Sequence, residues 1–289
     1  MKRCCAWVAV LGCALISTAA AADNGSKQVG QCMNLVKEAG TLIEEQGDEA
    51  FDTFRVRGGD FFNGDTYIFV KNLDGTILVH PVDRNLEGKS DLEFKDVDGR
   101  KFGELTLESA KGNDAQGWSH YRYHKPGSTE PVWKSTFCVR VTAPNGIEYV
   151  VGSGIYNAGP QMQFINDTLN KAAVLVETNG PAVFDTLRNR TGLFFYGDTY
   201  VFVLNNDGVE LVNPAFPKME GRNLWDLTDA NGDFPVKMMF ERLEKANSGN
   251  QVLFWPKPGE TEPSRKEVFF RRIEFNGEKF VIGTGRYTN

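Results

Sequence analysis

The strongest constraint on the fold is that the chain repeats itself. Residues 64–81 read GDTYIFVKNLDGTILVHP and residues 197–214 read GDTYVFVLNNDGVELVNP, so 12 of 18 positions are identical at an offset of 133 residues. Further matching segments follow in the same order, down to YVVGSGIYN (149–157) and FVIGTGRYT (280–288). This period is far longer than the roughly 20–50 residues of a solenoid unit. The repeat therefore predicts two domains of one fold, residues 23–157 and 158–289.

The first 22 residues resemble a secretory signal peptide. Lys2 and Arg3 precede an apolar run from Cys4 to Ile16, and small residues follow up to a cleavage site near Ala22. The run is shorter than the roughly 20 apolar residues that span a membrane. We therefore expect an exported protein, periplasmic or secreted, with no membrane span in the mature chain. VLGC (10–13) leaves lipoprotein anchoring open as an alternative.

Charge and cysteine content narrow the class of partner. Without residues 1–22, 30 basic side chains face 38 acidic ones. An acidic, evenly mixed surface argues against nucleic acid or anionic lipid, because both require a positive face. Two cysteines remain, Cys32 and Cys138, and in an exported protein they can form one disulfide. The alternative is that Cys138, within STFCVRV, is a small buried apolar residue.

Each copy has the pattern of an α+β domain. Apolar residues at helical spacing predict a helix over 31–47 in the first copy and over 162–180 in the second. A strand, an Asp-Gly turn and a second strand then predict a hairpin. A short amphipathic helix and three more strands complete the copy. We therefore expect a five-stranded antiparallel sheet with a long N-terminal helix across one face.

The order of these motifs resembles the Cache domain, in its single-module type. The resemblance rests on the helix, YxFVxxxDGxxxxHP, the segment NLEGKSDLEFKDVDG (85–99), WxxYxYxKPGxxEPxxK and the terminal GSGIYN, and it covers both copies. It implies two PAS-like domains whose sheets cup a small extracellular ligand, often a short-chain carboxylate. It also implies a membrane chemoreceptor or histidine kinase as partner. No transmembrane segment follows either copy, so we expect this chain to present its ligand rather than signal across a membrane by itself.

No catalytic or metal site is predicted, and no cofactor. Ser153 in GSGIY lacks the Gly-x-Ser-x-Gly context of a nucleophile elbow. His80 and His124 are both replaced in the second copy, so the histidines form no repeated metal site. The Asp-rich segments 96–101 and 229–234 fail the calcium-loop pattern, which favours turns in which Asp accepts backbone hydrogen bonds. No phosphate-binding loop follows a strand.

The recognition site is expected on one face of each sheet. In GWSHYRYH, alternation places Tyr121 and Tyr123 on one face and His120 and Arg122 on the other. Lys134 follows on the next strand, and a cation among tyrosine hydroxyls suits a small carboxylate. The alternative is that the aromatic residues are core and the lysines solvated. The candidate ligand-binding residues are Tyr67, His80, Tyr121, Tyr123 and Lys134 in the first copy, and Tyr200, Asn213, Trp255, Lys266 and Arg286 in the second.

These observations predict a sensory protein that binds a small organic acid and presents it to a signalling partner. The first copy is expected to be the better binder, because His80 offers more hydrogen bonds than Asn213. Arg286 is expected either to be a second anion anchor or to point outward. The alternative functions are a ligand-free accessory or scaffold protein of the cell envelope, followed by an enzyme.

Overall fold

A computed structural model of the chain describes residues 13–112 and 114–288. Within these residues the main chain forms two similar successions of helices and strands. The helices are α1 (Cys13–Gln46), α2 (Phe51–Phe54), α3 (Phe102–Ser109), α4 (Met162–Asn179), α5 (Phe184–Arg188) and α6 (Pro235–Leu243).

The strands follow the same repeated order. In the first copy they are β1 (Phe62–Asn63), β2 (Thr66–Tyr67), β3 (Phe69–Asn72), β4 (Ile77–Val79), β5 (Gln116–His124), β6 (Pro131–Thr142) and β7 (Glu148–Tyr156). In the second copy they are β8 (Phe195–Tyr196), β9 (Thr199–Tyr200), β10 (Phe202–Asn205), β11 (Glu210–Val212), β12 (Ser248–Pro256), β13 (Pro263–Phe275) and β14 (Glu278–Tyr287).

Each copy contains one five-stranded antiparallel sheet. The strand orders are β4-β3-β7-β6-β5 and β11-β10-β14-β13-β12. The predicted first strand, DTYIFVKN, is divided into β2, which pairs with β1, and β3, which enters the main sheet. The predicted α+β class and the five-stranded sheets are confirmed.

The long helices cover one face of each sheet. Val36, Ala39 and Ile43 of α1 are fully buried in a core cluster that includes Phe137 and Val139 of β6. In the second copy, α4 packs in the same way in a cluster with residues of β10, β13 and β14. Apolar side chains three or four residues apart form the stripe that each helix buries.

Helix α1 is longer than predicted. It begins at Cys13, whereas the prediction begins at residue 31. Residues 1–12 of the predicted signal peptide lie outside the described residues, and residues 13–22 belong to α1, so the signal peptide stays a prediction. No helix within the described residues is both long and apolar enough to cross a membrane.

Of the two alternatives for the cysteines, the structure shows the buried thiol and not the disulfide. Cys32 and Cys138 are both buried, free thiols. Cys32 lies in the helix-side cluster with Phe137, and the side chain that follows Phe137 in strand β6 must point to the opposite face. Cys138 accordingly packs with Phe69 and Val150 in a separate cluster on that other face. The sheet therefore separates the two sulfurs.

The face opposite each long helix is covered by the segment that links the hairpin to the last three strands. In the first copy this segment includes α3, and in the second copy it includes α6. Each segment leaves a cavity between itself and the sheet.

Candidate ligand cavities

The first cavity lies between the sheet of the first copy and the segment that contains α3. Its volume is about 30 Å³, which is room for about two water molecules. Its lining comprises aromatic and apolar side chains with a few polar groups: Tyr67, Phe69, Ile77, His80, Leu86, Asp91, Phe94, Phe102, Thr106, Tyr121, Tyr123 and Lys134. The structure thus brings all five candidate residues of the first copy to one cavity.

Lys134 is the central charge of the first cavity. Its side chain is 2% exposed, and its Nζ donates to the Tyr67 hydroxyl at 2.9 Å. Nζ also lies 4.5, 5.0 and 5.3 Å from the ring centres of Tyr67, Tyr123 and Tyr156. Aromatic faces attract a cation at such distances. Within the described residues no carboxylate forms an ion pair with Lys134, so its amino group has no acidic partner inside the cavity.

The terminal Gly-x-Gly motif makes space for this lysine. A Cβ on Gly154 would lie 2.5 Å from Lys134 Cε, and a Cβ on Gly152 would lie 2.4 Å from Phe69 Cζ. In the second copy, a Cβ on Gly285 would lie 3.1 Å from Lys266 Cε. The glycines therefore allow the lysine stem and a phenyl ring to lie flat on the strand.

A buried ion pair stands beside the first cavity. Lys71 Nζ lies 2.9 and 3.1 Å from the two carboxylate oxygens of Asp91 and 3.0 Å from the Gly103 carbonyl. Lys71 is fully buried and Asp91 is 6% exposed. Because Lys71 and Asp91 neutralise each other, Lys134 remains the group available to an anion.

The second cavity occupies the corresponding position in the second copy and is larger, about 80 Å³. Its walls are mostly aliphatic, whereas the first cavity has more tyrosine. The lining residues are Tyr200, Phe202, Leu204, Glu210, Asn213, Met219, Leu224, Leu227, Pro235, Val236, Met239, Leu253, Trp255, Lys266 and Val268. Four of the five candidates of the second copy are therefore brought together.

Two buried charges face the second cavity without forming an ion pair with each other. Lys266 is 3% exposed, and its Nζ lies 3.8 Å from the ring centre of Tyr200 and 5.1 Å from that of Tyr287. Glu210 is also 3% exposed; its Oε1 accepts from Asn213 Nδ2 at 2.8 Å, and its Oε2 has no hydrogen-bond partner within the described residues. Burial lowers the pKa of Lys266 to about 7 and raises the pKa of Glu210 to about 7.

Arg286 does not line the second cavity. Its guanidinium forms an ion pair with Glu267, with Nε at 2.9 Å from Oε2, and donates to the Pro160 carbonyl. Arg286 is paired with Glu267 across β13 and β14, while the neighbouring pair is Lys266 with Tyr287. Since successive residues alternate between faces, Tyr287 rather than Arg286 approaches Lys266.

His80 and Asn213 play the same structural part in the two copies. His80 Nδ1 accepts from the Asp83 backbone N–H at 3.0 Å, and Asn213 Oδ1 accepts from the Phe216 N–H at 2.9 Å. Both side chains therefore close the turn after the hairpin. Burial lowers the pKa of His80 to about 4, with a smaller contribution from the charge of Lys134, so this imidazole is neutral at pH 7.

The Asp-rich segments are turns, as predicted. One carboxylate oxygen of Asp96 accepts from the backbone N–H groups of Asp98 and Arg100, and the other accepts from that of Arg122. Asp229 makes the matching bonds in the second copy. Within the described residues, no cluster of three or more His, Cys, Asp or Glu side chains is arranged to hold a metal ion.

Sequence reasoning missed Glu210, Tyr156, Tyr287 and the Lys71–Asp91 pair. Glu210 and Lys71 are single charges in short strands at positions that alternation assigns to the cavity face. A charged residue at a position that alternation assigns to the cavity face could have indicated both residues. A strand at a solvent-exposed sheet edge also carries charged residues, however, so the sequence alone does not distinguish the two cases.

Comparisons with known proteins place both copies in one family. A model of the family described as Single Cache domain 2 matches residues 24–163, and a Cache domain model matches residues 155–289. The chain is 28% identical over 129 residues to the methyl-accepting chemotaxis protein McpP of Pseudomonas putida, covering 45% of this chain and 23% of that protein. It is 32% identical over 97 residues to the sensor histidine kinase MctS of Rhizobium johnstonii, covering 34% of this chain and 20% of the kinase. The chain thus spans less than a quarter of the length of either relative.

Solved structures give matches to sensor domains at low structural similarity. One describes carboxylic acid recognition by a Cache chemosensory domain, with 20% identity, a TM-score of 0.36, and coverage of 42% of this chain and 84% of that one. Another is the ligand-binding domain of the Pseudomonas fluorescens chemoreceptor CtaA with L-alanine, with 13% identity, a TM-score of 0.34 and 94% coverage of both chains. With two family matches that together extend from residue 24 to residue 289, the chain belongs to the Cache domain family.

Proposed function

We propose that this protein is an exported sensor component that binds a short-chain carboxylate in the first cavity and presents the bound state to a signalling partner. The observation that carries the proposal is Lys134, a 98% buried ammonium with a tyrosine hydroxyl and three aromatic rings around it and no ion pair within the described residues. A small carboxylate supplies the missing negative charge, and apolar walls exclude water from the pair.

Export and a membrane-bound partner belong to the same proposal. Residues 1–22 support export through their basic, apolar and small-residue succession. The similarity to McpP and MctS supports a chemoreceptor or histidine kinase as the partner. We also propose domains over residues 23–157 and 158–289, which agrees with the interval between the end of β7 at Tyr156 and the start of α4 at Met162.

Thermal unfolding in the presence of propionate and acetate tests the binding step. A ligand that binds only the folded chain raises the melting temperature. At a ligand concentration of 100 times the Kd, the free energy of unfolding increases by about 2.7 kcal/mol. Lys134→Met should abolish this shift while leaving the ligand-free melting temperature unchanged or higher, because an apolar side chain of similar length removes a buried charge.

Lys111→Met is the matched control, since Lys111 is exposed and pairs with Glu108 on the surface. It should retain the full ligand-induced shift. A carboxylate shift that persists in Lys134→Met contradicts the proposed site.

A ligand-free accessory protein is the second candidate function. The small volume of the first cavity, about 30 Å³, favours it, because a carboxylate enters only if the covering segment moves. Under this alternative, no carboxylate raises the melting temperature of the full chain, and Lys134→Met still binds the same envelope partner in a pull-down.

A further inference from the structure

The two cavities differ in charge at an inward position of the hairpin. Ile77 lines the first cavity, and the residue 133 positions later, Glu210, lines the second. At two neighbouring positions the first copy has the charged residues and the second copy the apolar ones: Lys71 and Asp91 of the first copy correspond to Leu204 and Leu224 in the second. The first cavity therefore has one unpaired cation, whereas the second has a cation and a carboxylate that do not contact each other.

Glu210 is an incomplete acceptor. Asn213 satisfies Oε1, but Oε2 is buried without a hydrogen-bond partner within the described residues. A buried carboxylate oxygen without a donor is costly, and such groups in native proteins call for an explanation. A ligand that donates hydrogen bonds from inside the cavity provides that donor.

Lys266 is the complementary group. Its ammonium faces the rings of Tyr200 and Tyr287 in a cavity whose other walls are mainly aliphatic. A plain carboxylate bound to Lys266 offers no donor to Glu210 Oε2, and an ionised Glu210 beside it would be an excess buried negative charge, which is strongly disfavoured. A ligand with one cationic and one anionic group leaves the occupied cavity neutral and gives each buried charge a partner.

We propose that the second cavity binds a small zwitterion, an amino acid with a compact apolar remainder, whose carboxylate contacts Lys266 and whose ammonium contacts Glu210. Leu204, Leu224 and Met239 surround the apolar remainder. The inference rests on the proposed function of the fold as a small-molecule sensor and assigns a different ligand class to each copy. Glu210 is then the residue that determines the specificity of the second cavity.

Three probes with the same carbon skeleton test this assignment: propionate, L-lactate and L-alanine, which carry hydrogen, hydroxyl and ammonium on the second carbon. Calorimetric titration of the full chain should show L-alanine binding at one site per chain and propionate at one other site. Glu210→Ile, which installs the residue of the first copy, should weaken L-alanine at least tenfold and leave propionate at the first cavity unchanged. The same variant should also bind propionate at a second site, because its second cavity would then resemble the first.

Glu210→Gln keeps the shape of the side chain and should also weaken L-alanine at least tenfold, so a folding defect in one variant does not decide the result. Lys134→Met should remove propionate binding at the first cavity and leave L-alanine unchanged. L-Lactate that binds the second cavity as tightly as L-alanine overturns the assignment of an ammonium.

Failure of this inference is distinguishable from failure of the proposed function. Lys134-dependent propionate binding without any Glu210-dependent L-alanine binding refutes the zwitterion site alone. Absence of Lys134-dependent propionate binding refutes the proposed function, and L-alanine binding that is insensitive to Glu210 refutes the inference whatever propionate does.

Discussion

His80 and Asn213 show at the scale of single residues how a sequence difference can leave a contact intact. The sequence suggested that this mismatch alters ligand recognition, because imidazole and carboxamide differ in hydrogen bonding. In the structure each side chain first accepts a backbone N–H three residues later. Any effect on the ligand therefore comes in addition to a shared part in closing the turn.

Substitution of His80 should separate its role in closing the turn from any effect on the ligand. We expect His80→Asn to leave the free energy of unfolding within about 0.5 kcal/mol of the parent, because the amide oxygen can accept the same Asp83 N–H. His80→Ala should cost about 1 kcal/mol or more, since it leaves that donor without an acceptor. Urea denaturation at pH 7 measures both values, and equal losses in the two variants would contradict the shared hydrogen bond.

Alternation along β5 predicted Tyr121 and Tyr123 at the first cavity, because a side chain on a strand has only two faces available. Lys134 and Lys266 were predicted from their matching positions on the next strand of each copy. Alternation along β14 also places Arg286 on the face opposite Tyr287, and what the sequence does not reveal is that Glu267 on the next strand forms an ion pair with it there. Contacts between distant segments, such as Lys71 with Asp91, depend on the packing of the covering segment, which no local pattern encodes.

At the scale of elements, the segment that covers each sheet is attached in two chemically different ways. In the first copy, Lys71 on β3 forms its ion pair with Asp91 and also donates to Gly103 at the second residue of α3. In the second copy, Leu204 and Leu224 lie in one apolar cluster with residues of α6. The covering segment is thus held to the sheet by an ion pair in one copy and by apolar contacts at the matching positions of the other.

This internal comparison predicts the result of exchanging the ion pair for apolar contacts. Lys71→Leu or Asp91→Leu alone should cost about 3–5 kcal/mol, because each leaves a buried charge without its partner. The double variant Lys71→Leu/Asp91→Leu should recover most of that loss, since two leucines occupy the matching positions of the second copy.

Chemical denaturation of all four chains in a double-mutant cycle measures the coupling between the two positions. Additive losses in the double variant would show that the two side chains do not act as a pair.

At the scale of the whole molecule, the two copies share an interface that carries several polar contacts. His120 of β5 stacks on Tyr196 with ring centres 3.7 Å apart, and its Nδ1 lies 2.9 Å from Ser135 Oγ. The Asp167 carboxylate accepts from the Trp118 N–H, and Arg100 donates to the carbonyls of residues 190 and 192. The contacts that cross between the copies join residues more than 45 positions apart, so no local pattern of the sequence predicts them.

Acidification should weaken this interface through His120. Burial lowers the pKa of His120 to about 3, with a smaller effect from the charge of Arg100, whereas an unfolded histidine titrates near pH 6.5. Between these values the unfolded chain binds a proton that the folded chain does not, so stability falls as the pH falls from about 6.5 towards 3. His120→Phe keeps an aromatic ring against Tyr196 and does not titrate, so its stability should decline less steeply over this range than that of the parent. Differential scanning calorimetry at intervals from pH 7 to pH 4 measures how stability changes with pH in the parent and in His120→Phe. His80 and the carboxylates contribute equally in both chains, so the difference between the two slopes reports on His120. Parallel slopes would refute a neutral, buried His120 at the interface.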